Sequence, residues 1–220
     1  MPIVGAMNRI VRPLPAHPDV TIEAERRVWD GRFPLEEVRF RHRRFDGAMS
    51  GSRSWELWRR GPAAALLPYD PDQDALVLLE QFRLPALAAG IDPVLVELPA
   101  GLCDADEPPE VTAVRETREE IGLEADRLEP ISTFLLTPGG SDEFATLVAG
   151  RVRAPEADAS GLCGTGGLAA ESEDIRARVW PAARAIEAVF DNAFPNSVTV
   201  IALLWFASRH DWLRARWRRA

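Results

Sequence analysis

The chain has 220 residues, 46% hydrophobic and 27% charged, the proportions of a globular protein long enough to bury a full core in one or two domains. All 26 basic residues are arginine and the net charge is −8, a balance that disfavours nucleic acid, whose phosphates are bound by basic surfaces. Cys103 and Cys163 are too few for a disulfide framework and lack metal-ligand spacing. Arg9 and Arg12 interrupt the start, so no signal peptide is read there. The most apolar segment, VTVIALLWFA at 198 to 207, is half the length needed to span a bilayer. It reads as a buried helix, and the expected protein is soluble and cytoplasmic, without a membrane partner.

Residues 20 to 61 alternate in polarity and are broken by Asp-Gly and Gly-Ser turns, which predicts a β-meander. Val38, Phe40 and His42 would share one face of its second strand, with Arg39 and Arg41 on the other. Three strands alone are marginal, so this piece must pack on something. The texture changes near Gly61. AAALLPYD and ALVLLEQFRL, flanking DPDQD, suit a strand pair in a more buried sheet, and VLVELPAG at 94 to 101 suits another strand. Val111, Val114, Thr117 or Arg118, and Ile121 give a helical period over 109 to 121, stopped by Gly122. LEPISTFLLTPGG predicts a strand into a Gly-rich turn, and FATLVAGRVR a further strand. The next twenty or so residues, APEADASGLCGTGGLAAESED, lack apolar periodicity and read as a long loop of the kind used for lids. A strand at DIRARVW, a helix at PAARAIEAVFDN and a last helix over 197 to 215 complete the chain. Strands and helices mixed in this order predict an α/β or α+β fold with a small β domain in front.

The stretch RETREEIG, 115 to 122, places Glu116, Glu119 and Glu120 about one helical turn apart. Like charges at such spacings repel by a few tenths of a kcal/mol per pair. Arg115 relieves Glu119 at i,i+4, but Glu116 and Glu120 still face each other. A Mg2+ ion, which takes hard oxygen ligands, explains the crowding, since two carboxylates one turn apart are two such ligands and Glu119 a third. The plainer reading is a solvated acidic face held by Arg115 and Arg118.

The wider stretch AGLCDADEPPEVTAVRETREEIGL decides between them. Gly101, Glu107 after five residues, Arg115-Glu116 after seven more, then Glu119-Glu120 and Gly122-Leu123 resemble the Nudix box, G-x5-E-x7-R-E-U-x-E-E-x-G-U with U apolar. Thr117 departs at the first U position, but it is β-branched and isosteric with Val, so slightly looser packing is expected and not lost chemistry. The resemblance implies a Nudix α/β/α sandwich and hydrolysis of a nucleoside diphosphate linked to another group. It implies a strand-loop-helix-loop in which the Ala100 carbonyl joins Glu116 and Glu120 around Mg2+, with Mn2+ able to substitute. Arg115 would orient the helix carboxylates, while Gly101, Glu107 and Gly122 would serve the structure of the box.

Pro138, sixteen residues past Gly122 in TPGGSDE, resembles the ADP-ribose pyrophosphatase branch of that family. So do FRHRRFDGAMS, ALLPYDPDQDALVLLEQFRL, ELPAG, AESEDI and DNAFPNSVTVIALLW. This branch implies Mg2+-dependent cleavage of ADP-ribose to AMP and ribose 5-phosphate. It implies Glu171 of ESEDI as general base and Glu173 as a further metal ligand, roles that an alignment slip of two residues would exchange. By the same resemblance Glu119 would be a further catalytic carboxylate, Arg83 a phosphate contact, and Glu97 a metal or ribose contact. Phe33 would be the adenine platform, with Trp29 close by, and Gly139 a substrate contact. Residues 1–58 would form a dimerisation and substrate-contact domain before a hydrolase domain at 59–220, in a domain-swapped homodimer. The rivals are a nucleotide-sugar pyrophosphatase acting on a compound such as GDP-mannose, and a non-catalytic ADP-ribose sensor, which the intact box carboxylates disfavour.

Overall fold

A computed structural model describes residues 13–167 and 173–218, and the chain divides into two compact units. The first comprises the chain up to Pro62 together with residues 104–106 and 134–144. Its strands β1 (Val20–Trp29), β2 (Leu35–His42) and β3 (Arg53–Trp58) form an antiparallel sheet in chain order, the predicted meander. Val38 is buried, Phe40 and His42 half-buried, and Arg39 and Arg41 exposed, the alternation that a strand with one covered face requires. Position by position, β1 is exposed along its whole length. Arg59 is buried and pairs with Glu36 at 2.7 Å and Asp142 at 2.8 Å, so its charge is compensated within the unit.

The remaining strands are β4 (Pro62–Asp70), β5 (Ala75–Phe82), β6 (Val94–Glu97), β7 (Ala100–Leu102), β8 (Arg127–Leu135), β9 (Phe144–Arg151), β10 (Leu162–Gly166) and β11 (Ile175–Pro181). They form one sheet in the order β10-β11-β5-β4-β9-β8, with β6 on β5 and β7 on β4. The helices are α1 (Leu84–Ala88), α2 (Pro109–Ile121), α3 (Ala182–Phe190) and α4 (Ser197–Trp217). Both faces of the sheet are covered. Ala64 and Leu66 of β4 pack with Ala113 of α2, while Tyr69, on the other face by the period-2 rule, packs edge-on against Phe206 of α4 at 4.8 Å. Helices on both faces make an α/β/α sandwich and account for the unbroken apolar runs of β4 and β5.

Three expectations need correction. The strand read over 94 to 101 breaks at Leu98-Pro99, because Pro99 has no N–H for a ladder, and it becomes β6 and β7. The stretch read as a long loop contains β10, paired antiparallel with β11. Its glycines carry no hydrophobic period, although Cys163 packs with Val179 of β11 against the core. On α2 the buried residues are Thr112, Ala113, Thr117 and Glu120, whereas Val111 is exposed and Val114 and Ile121 are only half-buried. Of the predicted period, Thr117 is buried and Val114 and Ile121 pack against the core, so it is Val111 that departs from it, standing exposed.

Two ties fix α4. The Asn196 side chain caps its first turn, accepting from the Thr199 N–H at 3.0 Å, and donates to the Val96 carbonyl of β6 at 3.0 Å. Near the other end, Asp74 in the β4–β5 turn accepts from the Tyr69 hydroxyl at 2.8 Å, contacts His210 Nε2 at 2.7 Å, and pairs with Arg214 at 3.0 Å. Trp217 closes α4 in a buried position, its carbonyl accepting at 3.0 Å from Arg151, which also forms a two-pronged pair with Asp126. Among the described residues no helix is long and apolar enough to cross a membrane.

Candidate active site

The turn from β7 into α2 carries the box. Pro108 and Pro109 open the helix, where a missing N–H is tolerated, and Gly122 closes it in the left-handed region at φ 70°. Glu116 and Glu120 therefore project, one turn apart, toward the strand end at Ala100 and Gly101. A side chain on Gly101 would collide with the Glu116 carboxylate, so only glycine allows this approach. Glu120 is buried, and one of its oxygens accepts from the Ala100 N–H at 2.9 Å.

Arg115 organises the rest. Its Nε and Nη2 donate to Glu107 at 3.2 and 3.0 Å, and its Nη1 donates to Glu116 at 2.8 Å and Glu119 at 3.1 Å. The hydrogen bonds with Glu107, and the charges of Glu116 and Glu107, hold its guanidinium firmly protonated. Glu107 also accepts from the Thr112 hydroxyl at 2.7 Å. Thr117, the departure from the box, is fully buried with its hydroxyl donating to the Ala113 carbonyl at 2.7 Å, so it leaves no unsatisfied group.

Burial pushes the Glu120 carboxyl up to about 8, and the charges of Glu116 and Glu173 push in the same direction against the Ala100 N–H and Arg83. Glu116 is raised by burial too, with Glu119 and Glu173 adding to the shift and Arg115 opposing it. Glu173 thus stands within electrostatic reach of both helix carboxylates. Arg83, at the end of β5, donates to Glu97 of β6 through Nε at 2.8 Å and Nη2 at 2.7 Å. Among the described residues no three acidic, histidine or cysteine side chains stand close enough to hold an ion by themselves. Arg115 holds one oxygen each of Glu116 and Glu119. The donor set still fits a hard divalent cation: it is all oxygen, it is acidic, and its buried charges are disfavoured until a cation offsets them.

Glu171 lies outside the described residues. Phe33 and Gly139 belong to the first unit. Phe33 meets Trp58 edge-on at 5.9 Å, and the Arg60 guanidinium lies 4.3 Å from its ring centre while pairing with Glu143. Gly139 lies in the turn that lines an apolar cavity of about 290 Å3 with Phe40, Trp55 and Leu57. Sequence reasoning missed Thr112, Arg60 and Gly166. The last lies against α2, since a Cβ there would strike the Glu120 carbonyl. The only sequence signal for Thr112 was a hydroxyl five residues after Glu107.

The α/β/α sandwich thus sets a buried Glu120 and a half-buried Glu116 against the strand end at Ala100 and Gly101, a hard-oxygen centre of carboxylates. The chain belongs to the Nudix family: a NUDIX domain profile matches residues 59–192. It is 40% identical over 199 residues to the ADP-ribose pyrophosphatase of Escherichia coli (strain K12), covering 90% of this chain and 93% of that one. The ADP-ribose pyrophosphatase of Haemophilus influenzae is 34% identical over 205 residues, 92% of each chain. The GDP-mannose pyrophosphatase of Salmonella arizonae is 29% identical over 193 residues, with 87% of this chain and 97% of that one covered. In fold, the chain is similar to a crystal structure described as an ADP compounds hydrolase, with a TM-score of 0.64 at 22% identity, covering 93% of this chain and 100% of that one.

Proposed function

We propose that the protein hydrolyses the pyrophosphate bond of ADP-ribose to AMP and ribose 5-phosphate, using Mg2+ with Mn2+ as a substitute. The observation that carries the reading is the set of box carboxylates around Ala100 and Gly101, intact in a chain 40% identical to an ADP-ribose pyrophosphatase. Glu116, Glu120 and the Ala100 carbonyl would hold the cation, with Glu119 and Glu173 supplying further oxygens. When bound, the cation offsets phosphate charge and makes a coordinated water more acidic.

The chain's own groups do the rest. Glu171 takes a proton from the attacking water, whose oxygen bonds to one phosphorus as the bridging P–O bond breaks and its electron pair leaves with the departing phosphate. Arg83, steadied by Glu97, turns its remaining N–H groups toward a phosphate oxygen. Arg115 keeps Glu116 and Glu119 oriented. Phe33, backed by Arg60, offers a ring face to adenine, and Gly139 a backbone contact. A homodimer in which the first unit serves the partner's pocket accords with the exposed β1, and a cytoplasmic location accords with the sequence.

Turnover of ADP-ribose, GDP-mannose, NADH and ADP-glucose with Mg2+, with products identified, tests this. Preferential release of AMP and ribose 5-phosphate from ADP-ribose is expected. Preference for GDP-mannose would move the substrate to the nucleotide-sugar class, and tight ADP-ribose binding without turnover of any compound would make the protein a sensor.

A further inference from the structure

We propose that Gln81 is a specificity-determining residue: its amide, which finds no partner in the fold, takes the hydroxyls of the sugar joined to the pyrophosphate. The inference rests on the ADP-ribose reading given above. Gln81 lies near the end of β5, in register with Leu95 of β6 on one side and Ile175 of β11 on the other. Only 8% of it is exposed. Strand residues two apart share a face, so Gln81 stands on the side of Val77, whose cluster Ile121 of α2 packs against. It therefore belongs to the face of the sheet that α2 covers.

The polar groups around it are committed elsewhere. Arg83, two residues on, gives Nε and Nη2 to Glu97 at 2.8 and 2.7 Å, and Glu97 is in register with Leu79, two residues back. Gln81 thus sits on β5 between Arg83 and the residue opposite Glu97. Its amide takes no part in that pair and forms no hydrogen bond among the described residues. Gln73, the chain's one other glutamine, shows the usual arrangement, its amide donating to the Ala154 carbonyl at 2.8 Å. A buried amide without a partner is costly, and an apolar residue would fill the place better, as Val77 and Leu79 do on the same face.

The chemistry of the amide selects its ligand, because it offers two donors and an acceptor together. An ionised phosphate oxygen only accepts, and would leave the Gln81 carbonyl unpaired. Sugar hydroxyls donate as well as accept, and satisfy both halves of the amide. The phosphates are drawn instead to the cation and to Arg83, whose Nη1 makes no hydrogen bond among the described residues.

The test compares the wild type with Gln81→Met, which keeps the unbranched side chain and removes both polar atoms. Gln81→Leu carries the same expectations should the methionine variant fail to fold. Thermal melts and Mn2+ binding are read without substrate, and kcat/KM for ADP-ribose with Mg2+. Competitive inhibition by ADP, which ends at its second phosphate and lacks that sugar, completes the set. Gln81→Met should melt at or above the wild type, since an unpaired amide has gone, and should bind Mn2+ equally well. Its kcat/KM for ADP-ribose should fall about tenfold, the loss of one hydrogen bond to the substrate, while inhibition by ADP stays the same. A lower melting temperature with unchanged kcat/KM would make Gln81 structural, and equal losses for ADP-ribose and ADP would put the contact on phosphate. Either result overturns the proposal, while wild-type turnover upholds the substrate reading. A wild type that neither binds nor hydrolyses ADP-ribose would overturn both.

Discussion

Glu120 lies buried with the Ala100 N–H as its donor, and burial together with the charges of Glu116 and Glu173 disfavours its ionised form in the cation-free protein. A carboxylate kept in such a place at the expense of stability is better explained by a ligand than by the fold. Glu120→Gln keeps an acceptor for the Ala100 N–H and removes the charge. Its cation-free melting temperature should match or exceed that of the wild type. Turnover should fall by at least about a hundredfold, because cation-based stabilisation of the transition state contributes several kcal/mol and each 1.36 kcal/mol is a factor of ten. Melts without divalent ions and kcat/KM with Mg2+ check the two halves separately; a variant that melts early yet turns over normally would show Glu120 to be structural.

The β4–β5 turn and α4 meet through Asp74, Tyr69, His210 and Arg214. Burial works to raise the Asp74 carboxyl, but hydrogen bonds from His210 and Tyr69 and the charge of Arg214 outweigh it, so its pKa lies below the ordinary aspartate value of 3.8. A depressed folded-state pKa stabilises the protein above the unfolded value, and that stabilisation is lost as pH falls through the folded one. The contact should therefore hold at neutral pH and weaken on acidification below about pH 4. Asp74→Asn should lower neutral-pH stability by about 1–3 kcal/mol, the effect of weakening a partly buried charged hydrogen-bond network. It should also remove part of the acid-induced loss. Urea unfolding at a series of pH values reads both, and equal acid sensitivity in the two proteins would exclude Asp74 as a source.

Over the whole molecule, legibility followed the kind of signal each part carries. Alternating polarity revealed the meander, and apolar runs around DPDQD revealed β4 and β5. The box revealed α2 with its Gly122 stop, because charge and glycine spacing are written directly in sequence. β10 was hidden, since LCGTG pairs through backbone groups and fits against α2 by lacking side chains at Gly166. On α2 the predicted period placed Val114, Thr117 and Ile121 toward the core, whereas the burial of Thr112 and Glu120 carries no apolar signal. In the site, the ligand types were legible, whereas the division of Arg115 among three carboxylates and the reach of Thr112 to Glu107 depend on side-chain geometry.

The end of α4 has a consequence for how the protein meets proteases. Helix termini commonly fray, and exopeptidases exploit loose ends. Here Trp217 is buried and its carbonyl is held by Arg151, itself nearly enclosed and paired with Asp126. A carboxypeptidase working inward is expected to remove the residues beyond Trp217 and then stall there, leaving a product of defined mass. Continued digestion into α4 would mean that this terminus opens in solution. Held shut, it makes resistance to trimming a property of the folded end, and loss of that resistance a simple sign that the last helix has left the sheet.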